Sequence, residues 1–290
     1  MKLKPALLLL AFISTKAFAQ DTTDLMKQLG EDQPQKELVY ASFKSSRVIM
    51  SQSVEMLRAG VLDFRILHRF GKVNGGFYEF FGLDGPATVR LGLDYGLTNN
   101  FSIGIGRSAY KKELDGFLKF RPLQQSTGPN ASPVSIVAVA GLTYAADTVT
   151  KRAHTADRFA NYWQVLIGRK FSEAVTFQIM PTLLHRNFVL QGEHNDLFAE
   201  GIGGHVKLSR RISLNVDYYY VFNRSPGMRN PLSIGFDIET GGHVFQLHFT
   251  NAMGINERSF LSETADNWGD GDIQFGFNIS RSFQIKKRKS

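Results

Sequence analysis

The stretch LTNNFSIGIG, residues 97–106, decides the fold, because a short polar turn leads directly into a run of alternating residue types. Its framework is an apolar residue, a Ser or Thr, two turn residues, and then an apolar, a polar and an apolar residue. The same framework returns in FSEAVTF, residues 171–177, and in LSRRISL, residues 208–214. Successive side chains of a strand point to opposite faces of a sheet. The pattern therefore predicts one kind of hairpin turn, repeated between strands that have one apolar face.

The alternation covers most of the chain from residue 61 onward. In VLDFRILHRF, for example, Leu62 and Phe64 fall on one face, while Asp63 and Arg65 fall on the other. The lengths of the strands that this alternation predicts are close to the roughly 9–11 residues that a tilted membrane strand needs. We predict twelve of them, near residues 61–70, 87–96, 101–109, 113–122, 134–144, 158–170, 175–186, 196–208, 212–222, 231–239, 243–250 and 271–283.

The connections between the predicted strands differ in length at the two ends. The three repeated turns and ETGG, residues 239–242, are short, whereas most connections at the other end are longer and richer in Gly, Asn and charge. Two connections break this rule. Residues 123–133 form a long connection at the end that has the short turns, and residues 109–112 form a short connection at the end that has the long ones. Short periplasmic turns with longer extracellular loops are typical of outer-membrane barrels.

We therefore predict an all-β fold, a closed antiparallel transmembrane β-barrel. Closure is required because an open sheet edge would leave backbone groups unpaired in lipid. The alternative is a soluble β-sandwich or barrel with the same alternation. A soluble protein would turn its polar face outward, and here that face is rich in Gly, Ser, Asn and Gln between charges, which is unusual for a soluble surface.

The first residues predict export. MKLKPALLLLAFISTKAFAQ has a basic start, an apolar centre and an Ala-x-Ala end, so residues 1–19 are predicted to be a signal peptide cleaved between Ala19 and Gln20. The alternative, a membrane anchor, is disfavoured because a spanning helix needs roughly 20 apolar residues. With no other apolar run of that length, we expect no membrane-spanning helix in the mature protein.

The barrel is predicted to occupy residues 38–283. A polar periplasmic linker is predicted over residues 20–37, and a basic periplasmic tail over residues 284–290. Residues 38–58 allow two interpretations, either a plug inside the barrel or a further hairpin that raises the strand count to fourteen. Both keep the number of strands even and both termini periplasmic.

Charge and cysteine content exclude several classes. The net charge is +8, but removing the three lysines of the signal peptide and the four basic residues of the tail leaves a body of +1. A nucleic-acid-binding face is therefore not expected. The chain has no cysteine, which excludes disulfides and thiol-ligated metals.

The polar face of the strands carries the candidate site. A charge inside a barrel needs a partner, so we expect a lumen charge network that narrows the bore. Its members are Asp63, Arg65, Arg69, Arg90, Asp94, Asp115, Lys119, Arg121 and Asp217. A metal site combining His68 with a lumen carboxylate is a weaker alternative. We find no nucleophile elbow, and expect no enzymatic activity, no catalytic residues and no cofactor.

Two stretches resemble a known family. ASFKSSRVIMSQSVEMLRAGVLDFRILHRFG, residues 41–71, and FFGLDGPATVRLGLDYGLTNNFSIGIGRSAYKKELDGFLKF, residues 80–120, are similar to a family of outer-membrane β-barrel proteins of Gram-negative bacteria, defined by a domain of unknown function. The most specific parts are HRFG, GLDYG and IGIGRS. The resemblance implies a signal peptide, an outer-membrane location and a barrel, and it implies no activity.

Three functions follow as hypotheses: a narrow channel or transporter for small solutes, a structural or assembly partner for other envelope proteins, and a lipid-modifying barrel enzyme. We favour the first. The expected partners are outer-membrane lipid and, during biogenesis, the barrel-assembly machinery. QFGFNISRSF, residues 274–283, resembles the terminal signal of that machinery, although residues 284–290 run past it.

Overall fold

Twelve antiparallel strands close into one barrel in the computed structural model, which describes residues 35–286. Each strand pairs with its neighbours along the chain, and the last closes the ring by pairing with the first. The strands are β1 (Val61–Lys72), β2 (Thr88–Gly96), β3 (Phe101–Ser108), β4 (Glu113–Leu123), β5 (Ser135–Ala145), β6 (Phe159–Lys170), β7 (Val175–Arg186), β8 (Asp196–Lys207), β9 (Ile212–Val221), β10 (Leu232–Thr240), β11 (His243–Thr250) and β12 (Gln274–Gln284).

The predicted closed barrel of twelve strands is confirmed, and every predicted strand end lies within three residues of the observed one. The fourteen-strand alternative does not occur, because residues 38–58 contribute no strand to the ring. The predicted signal peptide with its cleavage site, most of the predicted linker and the end of the predicted tail lie outside the described residues.

The remaining elements lie in the connections. One short α-helix, α1, spans Glu257–Ser262, and 3-10 helices span Val73–Gly82, Tyr110–Lys112, Thr155–Arg158 and Trp268–Asp270. A two-residue strand, Glu37–Leu38, pairs with another, Ser126–Thr127. Within residues 35–286, no helix is both long enough and apolar enough to cross a membrane.

The alternation of the sequence places apolar side chains outside and polar ones inside. Leu91, Ile105 and Leu118 on the outer face are 49%, 63% and 53% exposed, while Asp63 and Arg65 on the inner face are buried. The polar face is therefore the barrel interior, opposite to the arrangement of a soluble barrel.

The repeated turn has a local cause. At residues 97–101 the carbonyl of Phe101 accepts the N–H groups of both Leu97 and Thr98, at 2.9 and 3.1 Å. The hydroxyl of Thr98 accepts the N–H of Asn100. A short hydroxyl side chain can close a turn by bonding to backbone two or three residues ahead.

The other two copies repeat this arrangement. Ser172 accepts the N–H groups of Ala174 and Val175, and Ser209 does the same for Arg211 and Ile212. A Ser or Thr at the second position therefore closes the tight turn in all three hairpins.

The long connection at the short-turn end also has a role in the structure. Residues 124–134 join β4 to β5 and contain the short strand that pairs with Glu37–Leu38. Val39 donates its N–H to the carbonyl of Gln125 at 2.8 Å, and the Gln124 side chain donates to the carbonyl of Val39 at 2.8 Å. This connection thus fixes the point at which the chain enters the barrel.

Candidate functional site in the barrel interior

Residues 38–58 are called the inner segment below, and residues 42–56 of this segment lie within the ring of strands, whereas Leu38 and Tyr40 are exposed. Val48, Ile49 and Met50 are almost completely buried. The segment folds back on itself, because the N–H of Val48 binds the carbonyl of Ser51 and the N–H of Ser53 binds that of Ser46, both at 3.0 Å. Its middle part is therefore a compact bend that fills the interior.

Asp217, on β9, holds the tip of this bend. One of its carboxylate oxygens accepts the backbone N–H groups of Ile49, Met50 and Ser51, at 3.2, 2.8 and 2.9 Å. The hydroxyl of Ser51 donates to the same carboxylate at 3.0 Å. Successive N–H groups that converge in this way form an anion-binding concavity. The carboxylate of the wall is thus the anion that the inner segment binds.

Other wall side chains satisfy the backbone of the inner segment from around the barrel. Amides and cations take the place that water would have in an open bore. The bonds run from Gln178 to Gln52 and Val54, from Gln246 to Val48, from Asn278 to Ile49, and from Lys119 to the carbonyls of Ser46 and Glu55. The segment is thereby anchored on β4, β7, β11 and β12 as well as on β9.

Two groups of ion pairs join side chains of the barrel strands to one another. The Nε of Arg65 lies 2.6 Å from Asp63 and 3.2 Å from Asp94, and the guanidinium of Arg90 binds Asp115 at 2.5 Å. All five side chains are nearly buried. The structure therefore brings together five of the nine residues of the proposed network, in two separate groups.

The other four residues point inward but bind different partners. Lys119 and Asp217 bind the backbone of the inner segment. Arg121 binds the carbonyl of Asn99 and the side chain of Asn100. Arg69 binds a backbone carbonyl and an amide. The partners of Lys119, Asp217 and Arg121 lie in the inner segment and in a turn, which the strand pattern could not reveal, whereas those of Arg69 lie in β1 and β12.

The loop between β11 and β12 closes the interior at the end of the long loops, opposite the short turns. Phe260 of α1 is completely buried and packs against Tyr219, with ring centroids 5.4 Å apart. Glu257 of α1 lies 3.4 Å from Arg47 of the inner segment, and both side chains are buried. The segment and the loop thus meet inside the barrel and fill it together.

Ion pairs fix α1 to the neighbouring loops. Arg258 binds both Glu113 and Glu263, the latter at 2.7 Å. Glu263 also binds Lys111 at 2.7 Å. Burial raises the pKa of Glu263, but the charges of Arg258 and Lys111 outweigh it, so the pKa lies below its ordinary value. Burial raises the pKa of Glu257 in spite of the Arg47 charge. Sequence reasoning missed these residues because the loop has no periodic pattern.

A cavity of about 280 Å³ opens at this loop end. Its walls combine apolar side chains such as Phe188 and Leu190 with Arg152, Arg186 and Glu263.

The alternative prediction of a metal site at His68 is wrong. His68 points outward from β1 and stacks on the ring of Phe277, with centroids 4.9 Å apart, so it cannot share a metal with a lumen carboxylate. Within residues 35–286, no group of three His, Cys, Asp or Glu side chains is placed to hold a metal ion.

The chain matches the model of a family described as a membrane-bound β-barrel domain (DUF5777) over residues 43–283, which include most of the inner segment and nearly all of the barrel. No curated protein matches the chain in sequence.

Several solved structures are similar. An outer-membrane channel from Pseudomonas putida F1 is 12% identical with a TM-score of 0.46, covering 79% of this chain and 98% of that one. The outer-membrane protein Omp33 of Acinetobacter baumannii is 9% identical with a TM-score of 0.41, covering 77% and 97%. A triple mutant of the Rhodopseudomonas blastica porin is 11% identical with a TM-score of 0.34, covering 68% and 55%. The chain thus spans about half the length of that porin.

Proposed function

The chain belongs to the DUF5777 family of membrane-bound β-barrel domains, and we propose that it is a narrow outer-membrane channel for small solutes, closed at rest by the inner segment. The predicted signal peptide and the apolar outer face support the outer membrane as its location. A closed barrel is the β-structure that satisfies all its backbone groups in lipid.

The chemistry of the filling favours a channel over a purely structural barrel. A barrel that serves only as a scaffold can fill its interior with apolar side chains. Here the inner segment buries apolar side chains such as Ile49 and Met50, and it is also held by hydrogen bonds to Asp217, Gln178, Gln246 and Asn278. Bonds of this kind exchange for water at modest net cost, about 1 kcal/mol each. When the segment leaves the bore it can therefore exchange these polar bonds for water, while its buried side chains such as Ile49 and Met50 lose their apolar contacts.

The observation that carries the proposal is the contact of Asp217 with three successive N–H groups of the inner segment. It places three backbone N–H groups at the tip of the bend on one carboxylate, in addition to the bonds from the other strands. Loss of this contact therefore removes more hydrogen bonds than loss of Gln246 or Asn278 would. Release of the segment would leave a bore lined by polar wall residues and by apolar ones such as Leu166.

Planar-bilayer recording of the purified protein tests the proposal. The wild type should give small, rare currents, and a variant in which a short Gly-Ser linker replaces residues 42–56 should give larger, steady ones. Folding of both proteins is checked by circular dichroism and by the heat-dependent gel shift of folded barrels. A folded variant that conducts no better than the wild type would refute a bore closed by the inner segment.

A further inference from the structure

A row of inward-facing positions crosses five adjacent strands on one side of the interior. The registers place Gly235 opposite His248, His248 opposite Gly276, Gly276 opposite Arg69, and Arg69 opposite Thr88. The three residues with side chains lie at the same level of the barrel, and Gly276 separates two of them.

These three side chains are buried and lack partners. Arg69, His248 and Thr88 are 0%, 1% and 4% exposed. The Nε and Nη2 groups of Arg69, both ring nitrogens of His248 and the hydroxyl of Thr88 have no hydrogen-bond partner. Buried polar groups are nearly always paired in proteins, so a ligand shared by these three groups would complete their hydrogen bonding.

Arg69 differs from Arg65 and Arg90, two other buried arginines of the wall. Among residues 35–286, no carboxylate oxygen lies within 4.0 Å of its guanidinium, whereas Arg65 binds Asp63 and Asp94 and Arg90 binds Asp115. Its Nη1 is the only part that is bonded, to the carbonyl of His68 at 3.0 Å and to Asn278 at 3.1 Å. The charge of Asp217 acts on this guanidinium only from beyond 4.0 Å. A buried cation without a direct partner is unfavourable, and an anion in the row would supply that partner.

Gly276 lets two of the groups approach each other. A Cβ on this residue would lie 2.5 Å from Nε2 of His248 and 2.9 Å from Cδ of Arg69. The two side chains therefore lean over the glycine from both sides. A larger residue at this position would occupy the space between them.

We propose that Arg69, His248 and Thr88 bind a small monovalent anion of the size of chloride inside the barrel wall. Two guanidinium N–H groups, one imidazole N–H and one hydroxyl supply four donors, and the guanidinium supplies a single positive charge. One positive charge matches a monovalent anion, and guanidinium groups bind anions with paired, charge-assisted bonds. The site adjoins the inner segment, because Asn278 binds both Arg69 and the carbonyl of Ile49.

Bromide and chloride are the probes that test the site. Crystals of the full chain grown in sodium bromide should show an anomalous peak between the Arg69 guanidinium and the His248 ring. In detergent solution at constant ionic strength, replacing gluconate by chloride at ten times its Kd should raise the unfolding midpoint by about 3–5 °C.

Matched variants separate the site from general salt effects. Arg69→Met and His248→Leu should each lose the chloride-dependent shift, while Arg65→Met, which removes a buried arginine with carboxylate partners, should keep it. If a variant fails to fold, the bromide experiment on the wild type decides alone. Absence of the bromide peak, or equal midpoints of the wild type in chloride and gluconate, would overturn the proposal.

Discussion

The carboxylate of Asp217 accepts the backbone N–H of Met50 at 2.8 Å, although the two residues are 167 positions apart in the chain. This contact joins the wall of the barrel to the segment that fills it. Because the same oxygen also accepts the neighbouring N–H groups of Ile49 and Ser51, Asp217 makes more hydrogen bonds to the inner segment than Gln178 does.

Asp217→Asn should loosen the inner segment. The amide has no charge, and its NH2 group cannot accept hydrogen bonds from backbone N–H groups as the second carboxylate oxygen does. We therefore expect a loss of about 2–3 kcal/mol in the free energy that holds the segment. Hydrogen exchange of residues 48–52, followed by mass spectrometry, should become at least tenfold faster.

Asp115→Asn is the control for this variant, because Asp115 is a nearly buried carboxylate of β4 that binds Arg90 and not the inner segment. Exchange in residues 48–52 that responds equally to both variants would show that Asp217 has no special role.

Arg90→Met should destabilise the barrel because it leaves Asp115 as a buried charge without its partner. Breaking a buried pair on one side costs about 3–5 kcal/mol, whereas replacing both partners by apolar residues is often close to neutral. Arg90→Met with Asp115→Leu should therefore recover most of the loss in urea unfolding in detergent. A double variant as unstable as the single one would argue against a direct pair.

Leu91→Arg tests the lipid-facing side of the barrel. Leu91 lies in the middle of β2 and is exposed on the outer face, so an arginine there should cost about 2–4 kcal/mol in the folding free energy into bilayers. Phe171→Arg is the matched control, because Phe171 lies in a short turn near the membrane surface, where the cost falls to about 0–1 kcal/mol. Equal costs at both positions would contradict the proposed position of the membrane.

Single cysteines test the topology, and the native chain has none to interfere. Cysteines at Asn74 and His194, in the long connections, should react on whole cells with a reagent that does not cross membranes. Cysteines at Asn99, Glu173 and Arg210, in the short turns, should react only after the outer membrane is opened. All five positions are exposed in the structure. Labelling of both sets on intact cells would exclude a barrel that spans the membrane.

Acid should loosen the loop that carries α1. The folded-state pKa of Glu263 lies below the ordinary value of 4.5, so its ion pairs contribute fully above that value and are lost as the pH falls through the folded-state pKa. Proteolysis of the loop between β11 and β12 by pepsin should therefore accelerate once the pH falls below the ordinary value of 4.5.

Glu263→Gln is the reference for this pH effect, since the amide cannot be protonated in this range. We expect the variant to be cleaved quickly at every pH in the series. A wild type whose cleavage depends on pH in the same way as that of the variant would show that Glu263 does not fix the loop.

The sequence by itself determined the strands, their facing and the tight turns. These features depend on short-range rules: side chains of a strand alternate with a period of two, and Thr98, Ser172 and Ser209 close their turns with bonds to residues two or three positions ahead. Such signals lie within a few residues of the chain, so they can be read from a single sequence.

Only the tertiary structure decided what fills the barrel and which charges pair. The inner segment has no alternation, and its position depends on contacts with Gln178 and Asp217, which are 124 or more residues away. The alternation shows that Arg69 and Arg90 both point inward, but the stagger of neighbouring strands places a carboxylate beside Arg90 and none beside Arg69. Pairing depends on distances across the closed ring, and a linear pattern of polar residues contains no information about those distances.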